Sequence, residues 1–209
     1  MKTIFLMLLL AASVHLASGA EPSATKIDAI FAQLKSASAP GAAVLVIKDG
    51  RVVFQRGYGI TDLRSHHRIG AHTNFRLASC TKQFTAMAIM LLVHDGKLRY
   101  DNRLTDIFPD FPNYGRSITI RNLLNHTSGL QDYEDLMPAS DPNLPVEQIQ
   151  IQDAGVLDLL ERQTATKFEP GSKWAYSNSG YVLLGLIVQK VSGESFPDFL
   201  HDRIFAPLG

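Results

Sequence analysis

Two apolar, β-branched-rich runs, Ala42–Lys48 and Arg51–Tyr58, are separated only by Asp49-Gly50. An Asp-Gly pair between two such runs predicts a β-hairpin closed by a two-residue turn. Ahead of it, Ile27, Ile30, Phe31 and Leu34 recur at i, i+3, i+4, i+7, which predicts a helix capped by Thr25 and broken at Pro40-Gly41. Beyond the hairpin the period becomes helical. A long helix is predicted over Cys80–His94, ending at Gly96, with Phe84, Met87, Ala88, Leu91 and Leu92 as its buried stripe. Asp106–Pro112 reads as a loop, and Thr119 as the cap of a short helix through Asn125 that stops at Thr127-Ser128-Gly129. Residues 131–145 carry three prolines and read as an irregular connection. Helices are predicted at about 152–163 and 179–192, with a short last one over Pro197–Ile204. No internal repeat interrupts this order. It describes an α/β chain of the α+β kind: an antiparallel sheet of few strands, flanked by helices, with a mostly helical partner.

The first twenty residues have a different pattern. Lys2 is the only charge before Glu21, an apolar run covers Ile4–Ala12, and Ser18, Gly19 and Ala20 are small. A basic start, a short apolar run and a small-x-small site predict a signal peptide over 1–20, cut after Ala20. The run is too short for a spanning helix, which needs about 20 apolar residues. The expectation is an exported protein, periplasmic or extracellular, with no membrane anchor after cleavage and residues 21–209 as its folded part.

Charge removes some function classes. Lys plus Arg and Asp plus Glu number 20 each, so nothing electrostatic points to nucleic acid or an acidic membrane surface as partner. A single cysteine cannot form an internal disulfide. His66, His67 and His72 lie close together, but no carboxylate or cysteine stands at a recognised ligand spacing, so neither a metal nor another cofactor is expected.

The positive chemical signal is Ser79-Cys80-Thr81-Lys82. Ser23-Ala24-Thr25-Lys26 matches the same S-x-x-K pattern but lies just past the expected cleavage site. Ser79 instead opens the long apolar helix, where unpaired N–H groups and the positive dipole end favour developing negative charge. Lys82 follows on the same face, and its amine, if desolvated, could take the serine proton. The plainer reading is a helix-capping serine and a solvated lysine. Tyr176-Ser177-Asn178, directly before the helix 179–192, shifts the balance. A phenol works as acid or base once a neighbouring ammonium lowers its pKa, and an asparagine amide can hold a substrate carbonyl. His126 reads as structural, at a helix C-terminus. A Ser-His-Asp arrangement using Ser128 or Ser79 with His126 ranks lower, since no motif places an acid to orient the ring. Cys80, pointing away from Ser79 around the helix, reads as buried packing.

Phe75–Phe84, His126-Thr127-Ser128-Gly129-Leu130 and Pro170–Tyr181 together resemble the serine β-lactamase-related family over about residues 24–209. That family holds class C β-lactamases, D-alanyl-D-alanine carboxypeptidases, D-aminopeptidases and β-lactamase-fold esterases. The resemblance implies the β-lactamase/transpeptidase-like fold and acyl transfer to water on a small-molecule or peptide substrate. Ser79 would be the nucleophile, Lys82 and Tyr176 the proton relay, and Asn178 a substrate-binding group. The Ser79 N–H would form half of the oxyanion hole. The family's downstream Lys- or His-Thr/Ser-Gly strand has no counterpart after Tyr176, so the expectation is a C-terminally truncated hydrolase, poorly active alone, with its hairpin's apolar face open. The alternative is a remnant or non-catalytic ligand-binding module.

Overall fold

A computed structural model describes residues 23–36, 41–137 and 151–209. The expected leader, Pro40, and residues 138–145 of the expected irregular connection lie outside the described residues. The chain divides into two compact units, one ending at Arg76 and one running from Leu77 to Gly209.

The first unit contains α1 (Ala24–Ile30), a 3-10 turn (Ala32–Lys35), and strands β1 (Ala42–Lys48) and β2 (Arg51–Tyr58), paired antiparallel. Asp49 and Gly50 have φ of 50° and 74°, the left-handed geometry that a two-residue hairpin requires. One irregularity between Val46 and Ile47 shifts the register, so Val46 faces Phe54 while Ile47 faces Val52. Ile27, Phe54 and Tyr58 form a small core with Phe31, Leu34, Val44 and Val46 against it. Ser23, not Thr25, is the N-cap of α1, and Ile30 is exposed rather than buried. The α-helix stops at Ile30 and tightens, which brings Phe31 onto Tyr58 (centroids 5.1 Å apart) and turns Ile30 outward. On the other sheet face Leu45, Ile47 and Val52 are exposed.

The second unit is helical: α2 (Thr81–His94), α3 (Leu104–Ile107), α4 (Ile120–Leu124), α5 (Tyr133–Leu136), α6 (Asp153–Glu161), α7 (Asn178–Ser192), α8 (Phe196–Leu200) and α9 (Ala206–Leu208). A turn of π-helix, His201–Phe205, joins the last two. Its core is built from Ala88, Ile89 and Leu92 of α2 against Leu183, Leu184, Ile187 and Val188 of α7, with Leu123, Leu160 and Phe199 from neighbouring helices. The buried stripe of α2 is Thr85, Ala88, Ile89 and Leu92, whereas the sequence period had selected Phe84, Met87, Ala88, Leu91 and Leu92. Met87 is exposed, and Phe84 and Leu91 are only partly covered. The helix is apolar almost all round from Ala86 to Val93. Its period was therefore weak, and the neighbouring helix fixed which stripe faces inward. The segment Asp106–Pro112, expected as a loop, begins inside α3, because Asp106 accepts the Arg103 N–H at 2.8 Å and caps a turn.

The remaining local signals behave as their chemistry requires. Thr119 caps α4 in a reciprocal box with Asn122. Ser177 caps α7 by accepting the Gly180 N–H at 3.0 Å, and Gly193 closes that helix in the left-handed region. No described helix is long and apolar enough to cross a membrane.

Candidate active site

Ser79 sits in a 3-10 turn, Ala78–Cys80, that runs directly into α2. Ala78 has φ of 46°, a left-handed conformation costing a non-glycine residue about 1–2 kcal/mol. Such strain gathers at functional sites, and here it stands next to Ser79. Three residues on, the Lys82 ammonium donates to Ser79 Oγ at 3.3 Å, as residues one helical turn apart permit. Cys80 is exposed, contrary to its expected burial. It lies in the terminal turn, ahead of the first buried residue of α2, Thr85, and so outside the α2–α7 contact.

Tyr176 and Asn178 arrive from the other end of the unit. The segment preceding them hydrogen-bonds along residues 126–129: Lys167 N–H to the Gly129 carbonyl (2.7 Å), Gly171 N–H to Thr127 (2.8 Å) and Ala175 N–H to His126 (2.9 Å). Gly129 makes this approach possible, since its φ is 71° and a Cβ there would lie 2.3 Å from the Phe168 carbonyl oxygen. Asn178 is then fixed as the first residue of α7 by its N–H to Asp132 Oδ2 at 2.9 Å. Ser179 Oγ ties the α5 approach to the same helix, accepting from the Tyr133 N–H and donating to the Gln131 carbonyl, both at 2.8 Å.

The four residues singled out in the sequence meet here. Ser79 Oγ and the Tyr176 hydroxyl are 2.5 Å apart. Lys82 Nζ donates to Asn178 Oδ1 at 2.9 Å and lies 4.7 Å from the Tyr176 ring centre. Hydrogen bonding from Lys82, then from Ser79, holds the Tyr176 phenol below its ordinary pKa. Asn178 Nδ2 donates to Glu134 Oε1 at 3.3 Å. A cleft of about 220 Å³ reaches Lys82 and Asn178, walled by Tyr133, Tyr181, Val182 and Phe196 with Asp153 in its lining. The arrangement joins an alcohol to a phenol whose ionised form is favoured by an adjacent ammonium, which is what activating a hydroxyl for attack on a carbonyl requires.

The other candidates have different settings. Ser23 stands before α1 in the first unit. His66, His67 and His72 are exposed, and no group of His, Cys, Asp or Glu among the described residues is arranged to hold a metal. Ser128 is buried, its Oγ accepting from the Leu130 N–H. No carboxylate among the described residues hydrogen-bonds the His126 ring, as a Ser-His-Asp arrangement would require. His126 Nδ1 instead accepts the Ser177 N–H at 3.1 Å, and the ring stacks on Tyr176 with centroids 4.7 Å apart. Its ring is thus engaged with the Tyr176 segment rather than with the end of α4. Asp132, Glu134 and Asp153 were not singled out from the sequence. Asp132 and Glu134 meet Asn178 from 46 and 44 residues away, Asp153 reaches the cleft through the fold, and no local spacing marks them.

Relatives share this architecture. The Beta-lactamase family profile matches residues 27–209. A penicillin-binding protein of Bacillus subtilis (strain 168) is 38% identical over 166 residues, covering 79% of this chain and 36% of that protein. A D-aminopeptidase of Brucella anthropi is 34% identical over 172 residues, covering 81% of this chain and 32% of that protein. The chain therefore spans about a third of the length of these curated relatives. Among solved structures, the octameric penicillin-binding protein homologue from Pyrococcus abyssi superposes with a TM-score of 0.72 at 31% identity, covering 88% of this chain and 43% of its own. Such neighbours establish the β-lactamase/transpeptidase-type fold. With the profile extending from α1 to Gly209, the chain belongs to the Beta-lactamase family.

Proposed function

We propose that this protein is an exported serine hydrolase that works through an acyl-enzyme on a β-lactam, a D-amino-acid peptide or amide, or an ester. The observation that carries the reading is the 2.5 Å contact of Ser79 Oγ with a Tyr176 phenol that also lies beside the Lys82 ammonium. In this mechanism Ser79 Oγ attacks the substrate carbonyl carbon, its proton passes to the Tyr176 phenolate, and the carbonyl π pair moves onto oxygen. Collapse of the tetrahedral species expels the amine or alcohol, which leaves with the proton from Tyr176. Water then repeats the sequence against the ester of Ser79, releasing the acid and restoring the serine. Lys82 keeps the phenolate stable as a fixed positive charge, and the Ser79 N–H supplies half of the oxyanion hole, as the family resemblance implies. Asn178, with Oδ1 occupied by Lys82, has Nδ2 for the substrate carbonyl once it leaves Glu134.

Within the three substrate types, Asp132 and Glu134 bonded to Asn178, with Asp153 in the cleft lining, favour an acyl group bearing an ammonium over one bearing a carboxylate. The D-aminopeptidase relative is consistent with that preference. Export rests on the pattern of residues 1–20. The decisive experiment is intact-mass measurement after exposure to a fluorophosphonate. One adduct, lost in Ser79→Ala, is the expected result; no adduct on the wild-type chain would assign it to a non-catalytic module. A free-amine D-phenylalanine anilide should then be cleaved faster than its N-acetyl form.

A further inference from the structure

His126 contacts the cluster but has no part in the reaction described above. It grips the Tyr176 segment at three successive residues. Its carbonyl accepts the Ala175 N–H at 2.9 Å, its ring stacks on Tyr176 at 4.7 Å with planes 29° apart, and Nδ1 accepts the Ser177 N–H at 3.1 Å. Tyr181 and Trp174 complete its surroundings at 5.1 and 6.1 Å between ring centres. A nitrogen that accepts a backbone N–H carries no proton, so the ring is the neutral Nε2–H tautomer. His126 itself has φ of 57°, a region in which His and Asn are enriched among non-glycine residues.

We propose that His126 is a positioning residue for Tyr176: as the neutral Nε2–H tautomer it holds the phenol against Ser79, and protonation at Nδ1 releases the phenol and closes down the site in acid. This rests on the reading of Tyr176 as the proton relay. Protonation would set two N–H groups against each other at Ser177 and add a second cation beside Lys82. The groups facing the ring are Lys82 from α2, Tyr176 from the segment before α7, and Tyr181 from α7. Among the described residues no carboxylate touches the ring to stabilise an imidazolium. Burial, and then the Lys82 charge, hold its pKa below the ordinary 6.5. The sign follows: the neutral form is complete above that ordinary value and is lost as the pH falls through the lower, folded one.

The test uses the full chain and three readouts against pH: imidazole 15N shifts, Tyr176 phenol signals, and the rate of Ser79 modification by a fluorophosphonate. The wild type should show Nδ1 unprotonated near neutrality, and an acid limb of modification that coincides with His126 titration. In His126→Asn, Oδ1 stands where Nδ1 was and the residue tolerates the positive φ. Modification should stay within about tenfold of wild type near neutrality, and the limb at the His126 titration should vanish, leaving the higher one set by the Tyr176 phenol. His126→Phe keeps a ring and loses the acceptor, so its modification should fall by about tenfold across the range, again with no limb at the His126 titration. A protonated Nδ1 in the wild type at neutral pH, or a limb at the His126 titration that persists in His126→Asn, would overturn the proposal. Should the wild type form no adduct, the hydrolase reading fails alone. The positioning role is then decided by whether Tyr176 signals change as His126 titrates, and no change would overturn it.

Discussion

Tyr176→Phe separates the proposed chemistry from the packing around it. The substitution removes one oxygen and keeps the ring. Phenylalanine preserves the stack on His126 and an aromatic face for Lys82, 4.7 Å from the ring centre. Tyr176 is 46% exposed, so water replaces its hydroxyl and no polar group is left buried without a partner. A net hydrogen bond is worth about 1 kcal/mol, and an exposed one less, so Tm should fall by no more than about 2–4 °C. The reaction should suffer far more. Ser79 Oγ loses the oxygen 2.5 Å away that is placed to take its proton. General base catalysis of that kind contributes about 10²–10⁴ in rate, or about 3–5 kcal/mol of barrier. The assay is the pseudo-first-order rate of Ser79 modification by a fluorophosphonate, read by intact mass, with circular dichroism melts alongside. In the wild type the rate should climb with pH through a limb below the ordinary tyrosine value of 10.0, because Lys82 and Ser79 lower the phenol. The variant should lack that limb. A Tyr176→Phe protein modified within threefold of the wild-type rate, with an unchanged pH profile, would refute Tyr176 as the proton relay.

Other outcomes follow from the fold. Leu92→Ala empties a fully buried position between α2 and α7 and should cost about 2–5 kcal/mol in urea unfolding. Leu92 is ten residues along α2 from Lys82, about 15 Å away, so the modification rate should be unaffected while the protein stays folded. Gly129→Ala demands a positive φ of 71° from alanine and drives a Cβ to within 2.3 Å of the Phe168 carbonyl oxygen. It should cost at least about 2 kcal/mol and slow Ser79 modification as well, because the segment pressed away leads to Tyr176. Asp28 accepts from the Tyr58 hydroxyl and pairs with Arg56, which together, Tyr58 first, lower its pKa. The stabilisation is complete above the ordinary value of 3.8 and is lost as pH falls through the lower folded one. Asp28→Asn should therefore flatten the acid dependence of hairpin unfolding followed by Phe31 and Tyr58 near-ultraviolet signals.

Much of this was written locally. Asp49-Gly50 between two apolar runs specified the hairpin because only a few residues tolerate that turn. Thr119 placed the start of α4, because a cap acts over three residues. Ser79 and Lys82 needed only the helical turn to meet, so their pairing could be read from spacing alone. Tyr176 and Asn178 could be recognised as a motif, and the resemblance supplied their roles. Nothing in the spacing, however, set the distance across the 97 residues between Ser79 and Tyr176.

What the tertiary structure decided were choices that local physics left degenerate. An all-apolar stretch such as Ala86–Val93 has no preferred inward face, so α7 chose Thr85, Ala88, Ile89 and Leu92 over the stripe that period suggested. Thr25 and Ser23 are both competent caps; Ser23 takes the N-cap without a side-chain hydrogen bond, and the contact of Phe31 with Tyr58 marks where α1 ends. Cys80 was read as buried from its angle around an ideal helix, yet burial requires a neighbour over that side chain, and Cys80 is exposed. His126 is the sharpest case. Its position after α4 suggested a dipole partner, while its ring is held by Ser177 and Tyr176, some fifty residues on. Sequence by itself determined the hairpin and the longer helices and brought forward the residues proposed for the chemistry, because caps, turns and i, i+3 spacing act within a few residues. The short helices Leu104–Ile107 and Tyr133–Leu136 fell where loops were expected. Only the packed chain determined which faces are buried and which side chains touch, because those depend on surfaces supplied by distant segments.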